Sequence, residues 1–173
     1  MDKVCKSCFS VCRKINKMKI LLLSIGKSND KIYAAAIEEF TQRLQKYYTT
    51  TWRFVHLKNN ATSNIEDIKK AEAQLILPIL LKDDYVVLLD ENGKMLTSPQ
   101  LANCIQQRAN ESFKQIVFII GGAYGVHKTI IDRAQYTWSL STLVFPHQLV
   151  RLILAEQLYR ACTILRNEKY HHT

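Results

Sequence analysis

Apolar runs of strand length alternate with amphipathic stretches along most of the chain. The first strand is predicted at 19–26 (KILLLSIG), whose continuous apolar character is typical of a strand that is buried on both faces. Helical periodicity then follows from Asp30, a suitable N-cap residue, to about Tyr48. The alternating segment 51–57, rich in β-forming residues, predicts a second strand.

The same alternation continues towards the C-terminus. The third buried strand is predicted to end in a turn at Asn92-Gly93, since this dipeptide favours turns. The other predicted elements are three helices and two strands. The helices run from Asn64 to Leu81 with a kink or early end at Pro78, from Ser98, the expected N-cap, to Asn110, and from Lys128 to Ala134; the strands lie at 115–120 and 136–140. This order predicts a single α/β domain, a mostly parallel sheet with helices on both faces.

The last helix, predicted over 149–165, is apolar on nearly every side. Only Glu156, Arg160 and Thr163 form a narrow polar stripe, and the first two, one turn apart, are expected to form a structural ion pair. Such a helix has to bury two faces, one on its own sheet and one on a partner. A second copy of the chain is the expected partner, with Leu158 on the face towards it.

Charge and cysteine usage restrict the setting and the partner. The chain has 24 Lys+Arg against 15 Asp+Glu, a formal net charge of +9, which favours an anionic partner such as nucleic acid. Five unevenly spaced cysteines favour a reduced, cytoplasmic setting over a disulfide framework. No apolar run approaches the ~20 residues of a membrane helix, so no membrane association is expected.

Residues 1–17 differ from the rest of the chain. They are basic, lack periodicity and precede a second methionine, Met18, where the domain (18–173) is expected to begin. Cys5, Cys8 and Cys12 form a C-x2-C-x3-C cluster, but the fourth ligand that zinc requires is missing nearby. A disordered extension without a metal site is the interpretation that these features favour.

Two loops carry the candidate chemistry. Three of the five glycines fall within 121–125, after the fourth strand, and a Ser/Thr/Pro loop at 141–146 follows the fifth. Loops at the carboxyl ends of parallel strands form the ligand cleft of open α/β sheets. The dinucleotide-binding fingerprint follows the first strand of its fold, whereas this glycine loop follows the fourth, so it is not that fingerprint. A nucleotide-like ligand held mainly by backbone groups is predicted, with His147 and Arg151 nearby.

The segment from Met18 to His171 resembles the ribosomal RNA large-subunit methyltransferase H family of SPOUT methyltransferases. The resemblance rests on the segments KILLLSIGK, VVLLDENGK, FIIGGAYG, WSLSTLVFPHQLVR, AEQLYRA and KYHHT. It implies S-adenosylmethionine as methyl donor, a homodimer, and methylation of N3 of a pseudouridine in a stem-loop of 23S ribosomal RNA on the assembled ribosome. It also implies a C-terminal trefoil knot, which general topology rules would not predict.

The resemblance also implies which residues bind the donor. Glycine admits a nucleoside close to the backbone, and apolar side chains would form walls for its adenine ring. The donor-binding residues implied are Leu89, Gly122, Ser141, Thr142, Leu143, Val144, Phe145 and Pro146.

Methylation at N3 needs a base, because this nitrogen carries a weakly acidic proton. His147 is the expected base, and the alternative is a histidine that only caps the start of the last helix. Arg151 is expected to stabilise developing charge or to contact phosphate. Tyr170 and His171 are expected to stack on or position a base of the RNA.

Two other functions fit part of the sequence. A knotted RNA-binding protein without catalytic activity would account for the charge and the fold, and binding of S-adenosylmethionine would distinguish it from an enzyme. A nucleotide-dependent enzyme acting on small molecules would leave the +9 charge unexplained.

Overall fold

The computed structural model describes residues 18–57 and 64–170, so the expectations for residues 1–17 and His171 lie outside the described residues. All neighbouring strands pair in parallel, in the order β2-β1-β4-β3-β5. The strands are β1 (Lys19–Ile25), β2 (Thr49–Val55), β3 (Tyr85–Met95), β4 (Gln115–Ile120) and β5 (Tyr136–Ser139). The predicted parallel α/β sheet is confirmed.

Helices cover both faces of this sheet, as predicted. They are α1 (Lys31–Leu44), α2 (Ile65–Ile76), α3 (Ser98–Asn110), α4 (Lys128–Arg133) and α5 (His147–Leu165). Leu44, Leu101 and Leu158, from α1, α3 and α5, share one core cluster, whereas Ala73 and Ile130, from α2 and α4, belong to the other. The buried strands separate the two clusters, because successive side chains point to opposite faces.

Local sequence sets the helix ends, with one correction. Asp30 caps α1 as predicted, and its side chain accepts a hydrogen bond from the Lys31 amide. Pro78 lies in a 3-10 turn that ends α2, which confirms the early end. The N-cap of α3 is Thr97 and not Ser98, because Thr97 and Gln100 form a reciprocal capping box.

The turn predicted at Asn92-Gly93 is wrong. β3 continues through this dipeptide, and its pairing with β5 shifts register between Leu89 and Lys94. A Cβ atom on Gly93 would lie 2.7 Å from backbone atoms of Thr137, so the glycine serves a close approach of two strands.

Helix α5 is buried along one side and half-buried along the other. Leu158 is 0% exposed and belongs to the core, so the expectation that it faces a partner is wrong. Leu149, Leu152 and Ile153, here called the outward stripe, are half-buried on the opposite side. In the part of the chain that the structure describes, no helix has the length and apolar character to cross a bilayer.

Candidate functional site

A cavity of about 590 Å³ lies at the carboxyl ends of β3, β4 and β5. The glycine loop and the loop after β5 both line it, so the fold brings together the two loops that the sequence singled out. The expected donor-binding residues that line it are Leu89, Gly122, Ser141, Leu143, Val144 and Phe145. Thr142 and Pro146 belong to the same loop but do not line the cavity.

The loop after β5 is held by its own hydroxyl groups. The Ser139 hydroxyl donates to the Ser141 carbonyl at 2.8 Å, and the Ser141 hydroxyl accepts from the Leu143 amide at 3.0 Å. This arrangement leaves two apolar side chains in solvent, Leu143 at 68% and Val144 at 80% exposure. Apolar side chains so exposed at a cavity mouth are available to a ligand or to a partner chain.

The glycine loop is a tight turn whose backbone borders the cavity. The Gly125 amide donates to the Gly122 carbonyl at 3.0 Å, and Gly125 has a φ of 79°, which disfavours a side chain. A Cβ atom on Gly122 would lie 2.9 Å from a carboxylate oxygen of Glu72 on α2. Sequence reasoning missed Glu72, since charged residues are ordinary on an amphipathic helix.

His147 is the first residue of α5, half-buried on the cavity wall. Burial, and next the charge of Arg151, lower its pKa below the ordinary value of 6.5. The imidazole is therefore neutral near pH 7, the form that can accept a proton. The residue before α5 is Pro146, and no side chain caps this helix, so His147 does not act as a capping histidine.

Arg151 lies inside the protein and does not line the cavity. Its guanidinium donates to the Ser24 hydroxyl at 2.9 Å, the Lys27 carbonyl at 3.0 Å and the Ile25 carbonyl at 3.3 Å. With 2% of the side chain exposed, it has no surface for RNA. The expectation of direct contact between Arg151 and the substrate is corrected: Arg151 clamps α5 to the end of β1 and to the loop after it, and it acts on His147 through its charge.

Tyr170 packs on α5, away from His147. Its hydroxyl donates to Glu156 at 3.0 Å, and the Arg160 guanidinium lies over its ring at 4.7 Å. Glu156 and Arg160 form the predicted structural ion pair, at 2.6 Å. Since Glu156 is roughly 13 Å from His147 along the helix, one chain does not bring Tyr170 to His147. His171, the other expected contact to RNA, lies outside the described residues.

The other polar groups of the cavity carry mixed charge. Lys69, Asp90 and Glu91 line it. Trp138 also lines it, is 3% exposed, and its indole nitrogen has no hydrogen-bond partner among residues 18–57 and 64–170. The described ranges contain no cluster of three or more His, Cys, Asp or Glu that could hold a metal ion.

Comparison with known proteins points to one family. The family described as "Predicted SPOUT methyltransferase" matches residues 18–171. The ribosomal RNA large subunit methyltransferase H of Phocaeicola vulgatus is 44% identical over 156 residues, covering 90% of this chain and 99% of that protein. The protein of the same name from Christiangramia forsetii is 43% identical with the same coverage.

Among solved structures, the TrmH/SpoU tRNA modifying enzyme of A. aeolicus is 8% identical and covers 94% of this chain and 85% of its own, with a TM-score of 0.49. The family assignment rests on the sequence matches, which span nearly the whole domain. The chain therefore belongs to the SPOUT methyltransferase family, with the ribosomal RNA large subunit methyltransferase H proteins, and is a methyltransferase.

Proposed function

We propose that this protein methylates N3 of a pseudouridine in a stem-loop of 23S ribosomal RNA, on the assembled ribosome in the cytoplasm. The observation that carries the proposal is a half-buried histidine, neutral near pH 7, on the wall of a cavity between the two loops. The relatives named for activity on large-subunit ribosomal RNA and the net charge of +9 support an RNA substrate.

The cavity fits the methyl donor in size and chemistry. Its volume of about 590 Å³ lies in the range of small-molecule sites, ~300–1,000 Å³. Leu89, Leu143 and Phe145 would flank the adenine ring, while backbone groups of the 141–146 loop read its edge. The unpaired indole nitrogen of Trp138 is a buried donor that a ligand can satisfy.

The chain's own contribution to the reaction is a proton acceptor held in place. When bound, S-adenosylmethionine supplies an activated methyl group. His147 accepts the N3 proton at its imidazole, which is poised for this role because burial keeps it neutral. Arg151 fixes the start of α5, and so fixes the direction of that imidazole, through the hydrogen bonds to the end of β1 and the loop after it.

The protein acts as a homodimer in this proposal. Leu149, Leu152 and Ile153 form a half-buried apolar stripe that begins beside the cavity, where Leu143 and Val144 are also exposed. A second copy packed on this surface would bury these side chains. It would also supply a C-terminal segment close to His147, which the chain's own Tyr170 does not reach.

The decisive test is methyl transfer to ribosomes that contain, or lack, the pseudouridine. Wild-type protein with labelled S-adenosylmethionine should label the 23S RNA of the first ribosomes and not the second. Binding of S-adenosylmethionine without transfer to either ribosome would instead identify a protein that lacks this catalytic activity.

A further inference from the structure

Helix α2 presents two opposite charges to the glycine loop. Lys69 and Glu72 are three residues apart and therefore lie on one side of the helix. Lys69 lines the cavity, while the Glu72 carboxylate lies against Gly122, with its two oxygens 2.9 and 3.1 Å from the position of a Cβ atom there. Both side chains are half-buried.

These two charges have no protein partner in the described structure. Across residues 18–57 and 64–170, no salt bridge or hydrogen bond joins either side chain to another residue. By contrast, Glu156, also half-buried, is bonded to Arg160. Burial raises the pKa of Glu72, which reflects the cost of a charged carboxylate that lacks a cation. A ligand that carries both signs of charge would compensate both groups.

The methyl donor carries such a pair of charges at its methionine end, an α-ammonium and an α-carboxylate on one carbon. The apolar residues suited to adenosine, Leu89, Leu143 and Phe145, come from β3 and from the loop after β5. The charged groups of α2 adjoin a different wall, the glycine loop. The separation of apolar and charged walls matches the two ends of the donor.

We propose that Lys69 and Glu72 form the subsite for the methionine end of the donor. Glu72 accepts hydrogen bonds from the α-ammonium, and Lys69 pairs with the α-carboxylate. The inference rests on the proposed placement of the donor in this cavity. It makes α2 a third donor-binding element beside the two loops.

Three ligands separate this role from a merely structural one. S-adenosylmethionine and S-adenosylhomocysteine both carry the amino-acid end, whereas 5′-methylthioadenosine lacks it. Calorimetry on the full chain should show that Glu72→Gln and Lys69→Met each lower the affinity for S-adenosylmethionine and S-adenosylhomocysteine by about tenfold or more. This is the usual contribution of a charge-assisted hydrogen bond. Affinity for 5′-methylthioadenosine should stay within about twofold.

Exposed neighbours on the same helix provide matched controls. Lys70→Met and Asp67→Asn change the same charges away from the cavity, so all three affinities should remain at the wild-type value. Equal weakening of 5′-methylthioadenosine by Glu72→Gln would show that Glu72 only braces the loop, and would overturn the proposal. Unchanged S-adenosylhomocysteine affinity in both variants would also overturn it. Wild-type protein that binds none of the three ligands would instead refute the placement of the donor.

Discussion

At His147, burial and the charge of Arg151 act in the same direction, because both disfavour the imidazolium ion. The pKa of His147 therefore lies below 6.5, the ordinary pKa of a histidine. The neutral, basic form of the imidazole is therefore kept to a lower pH than in an unperturbed histidine. This property follows from position: the residue begins α5 and borders the cavity.

We expect the single-turnover methylation rate to fall as the pH is lowered, with the midpoint of the decrease at a pH below 6.5. His147→Ala should reduce the rate at neutral pH by about 10²–10⁴-fold, the usual contribution of a general base. Its residual rate should rise with pH, as N3 loses its proton without assistance. The exposed His56→Ala is the control and should retain the wild-type profile. If His147→Ala methylates at the wild-type rate at pH 7, another group accepts the N3 proton.

Two tryptophans offer a paired test of donor binding. Trp138 lines the cavity with an unpaired indole nitrogen, whereas the Trp52 indole donates to the Thr41 hydroxyl at 2.9 Å. Trp138→Phe should weaken the binding of S-adenosylmethionine by a few-fold. It should also lower thermal stability, because a smaller ring leaves space in the core around Phe118, although the unbound protein loses no hydrogen bond. Trp52→Phe should lower stability and leave donor affinity unchanged. Calorimetric titration measures the affinity and thermal unfolding measures the stability. An unchanged affinity in Trp138→Phe would mean that S-adenosylmethionine does not accept a hydrogen bond from the Trp138 indole.

Among the elements, β3 shows where sequence patterns mislead. Asn92-Gly93 favours a turn locally, but the chain continues as a strand past a register shift. The tertiary contact to Thr137, distant in sequence, decides the outcome, and no local pattern reports it.

Gly93→Ala should therefore destabilise the β3–β5 pair. The new methyl group would meet Thr137 backbone atoms at 2.7 Å, and backbone cannot move aside as a flexible side chain can. We expect a loss of ~1–3 kcal/mol in the free energy of unfolding, measured by urea titration. Gly125 is the comparison: no atom lies within 4 Å of a Cβ there, so only its positive φ opposes Gly125→Ala. A stable Gly93→Ala protein would show that the strands separate at low cost.

Arg151 joins α5 to the end of β1 and the loop that follows it. Arg151→Ala should cost ~2–4 kcal/mol of unfolding free energy, because buried hydrogen bonds to Ser24 and Ile25 are lost with the packing of the side chain. It should also raise the pKa of His147, measured by NMR titration, because a nearby positive charge is removed. Arg53→Ala, at an exposed position, should change neither quantity. An unchanged urea midpoint would mean that the clamp is not important for stability.

For the whole molecule, hydrophobic periodicity predicted the sheet, its five strands and the helices on both faces, because burial itself produces that pattern. The two loops of the site were predictable because parallel strands end at a common edge. The burial of Arg151 was not predictable, since its partners at the end of β1 and in the following loop lie far away in sequence. Charge pattern cannot distinguish a clamp from an RNA contact. The trefoil knot stays a prediction.

Assembly into a dimer is a property of the whole molecule, and the proposed interface lies on α5. The outward stripe offers a direct test, because Ile153 is half-buried and distant from the core face of α5 that contains Leu158. Ile153→Asp should dissociate the dimer into folded monomers, as measured by sedimentation velocity, since an unpaired carboxylate in an apolar interface is costly. Ile32→Asp, at a position 83% exposed on α1, should leave the dimer intact. A dimeric Ile153→Asp protein would place the interface elsewhere.

The proposed dimer also predicts that two inactive proteins can restore activity together. His147→Ala keeps the C-terminal segment, and deletion of residues 170–173 keeps His147. If a site uses His147 of one subunit and the segment of the other, a mixed dimer has one intact site and one doubly defective site. Co-expressed variants should then regain about a quarter of wild-type activity, since half of randomly formed dimers are mixed. Tyr170 bonds to Glu156, far along α5 from its own His147, and this geometry supports the result. Mixed dimers as inactive as each parent would mean that each site takes both elements from one chain.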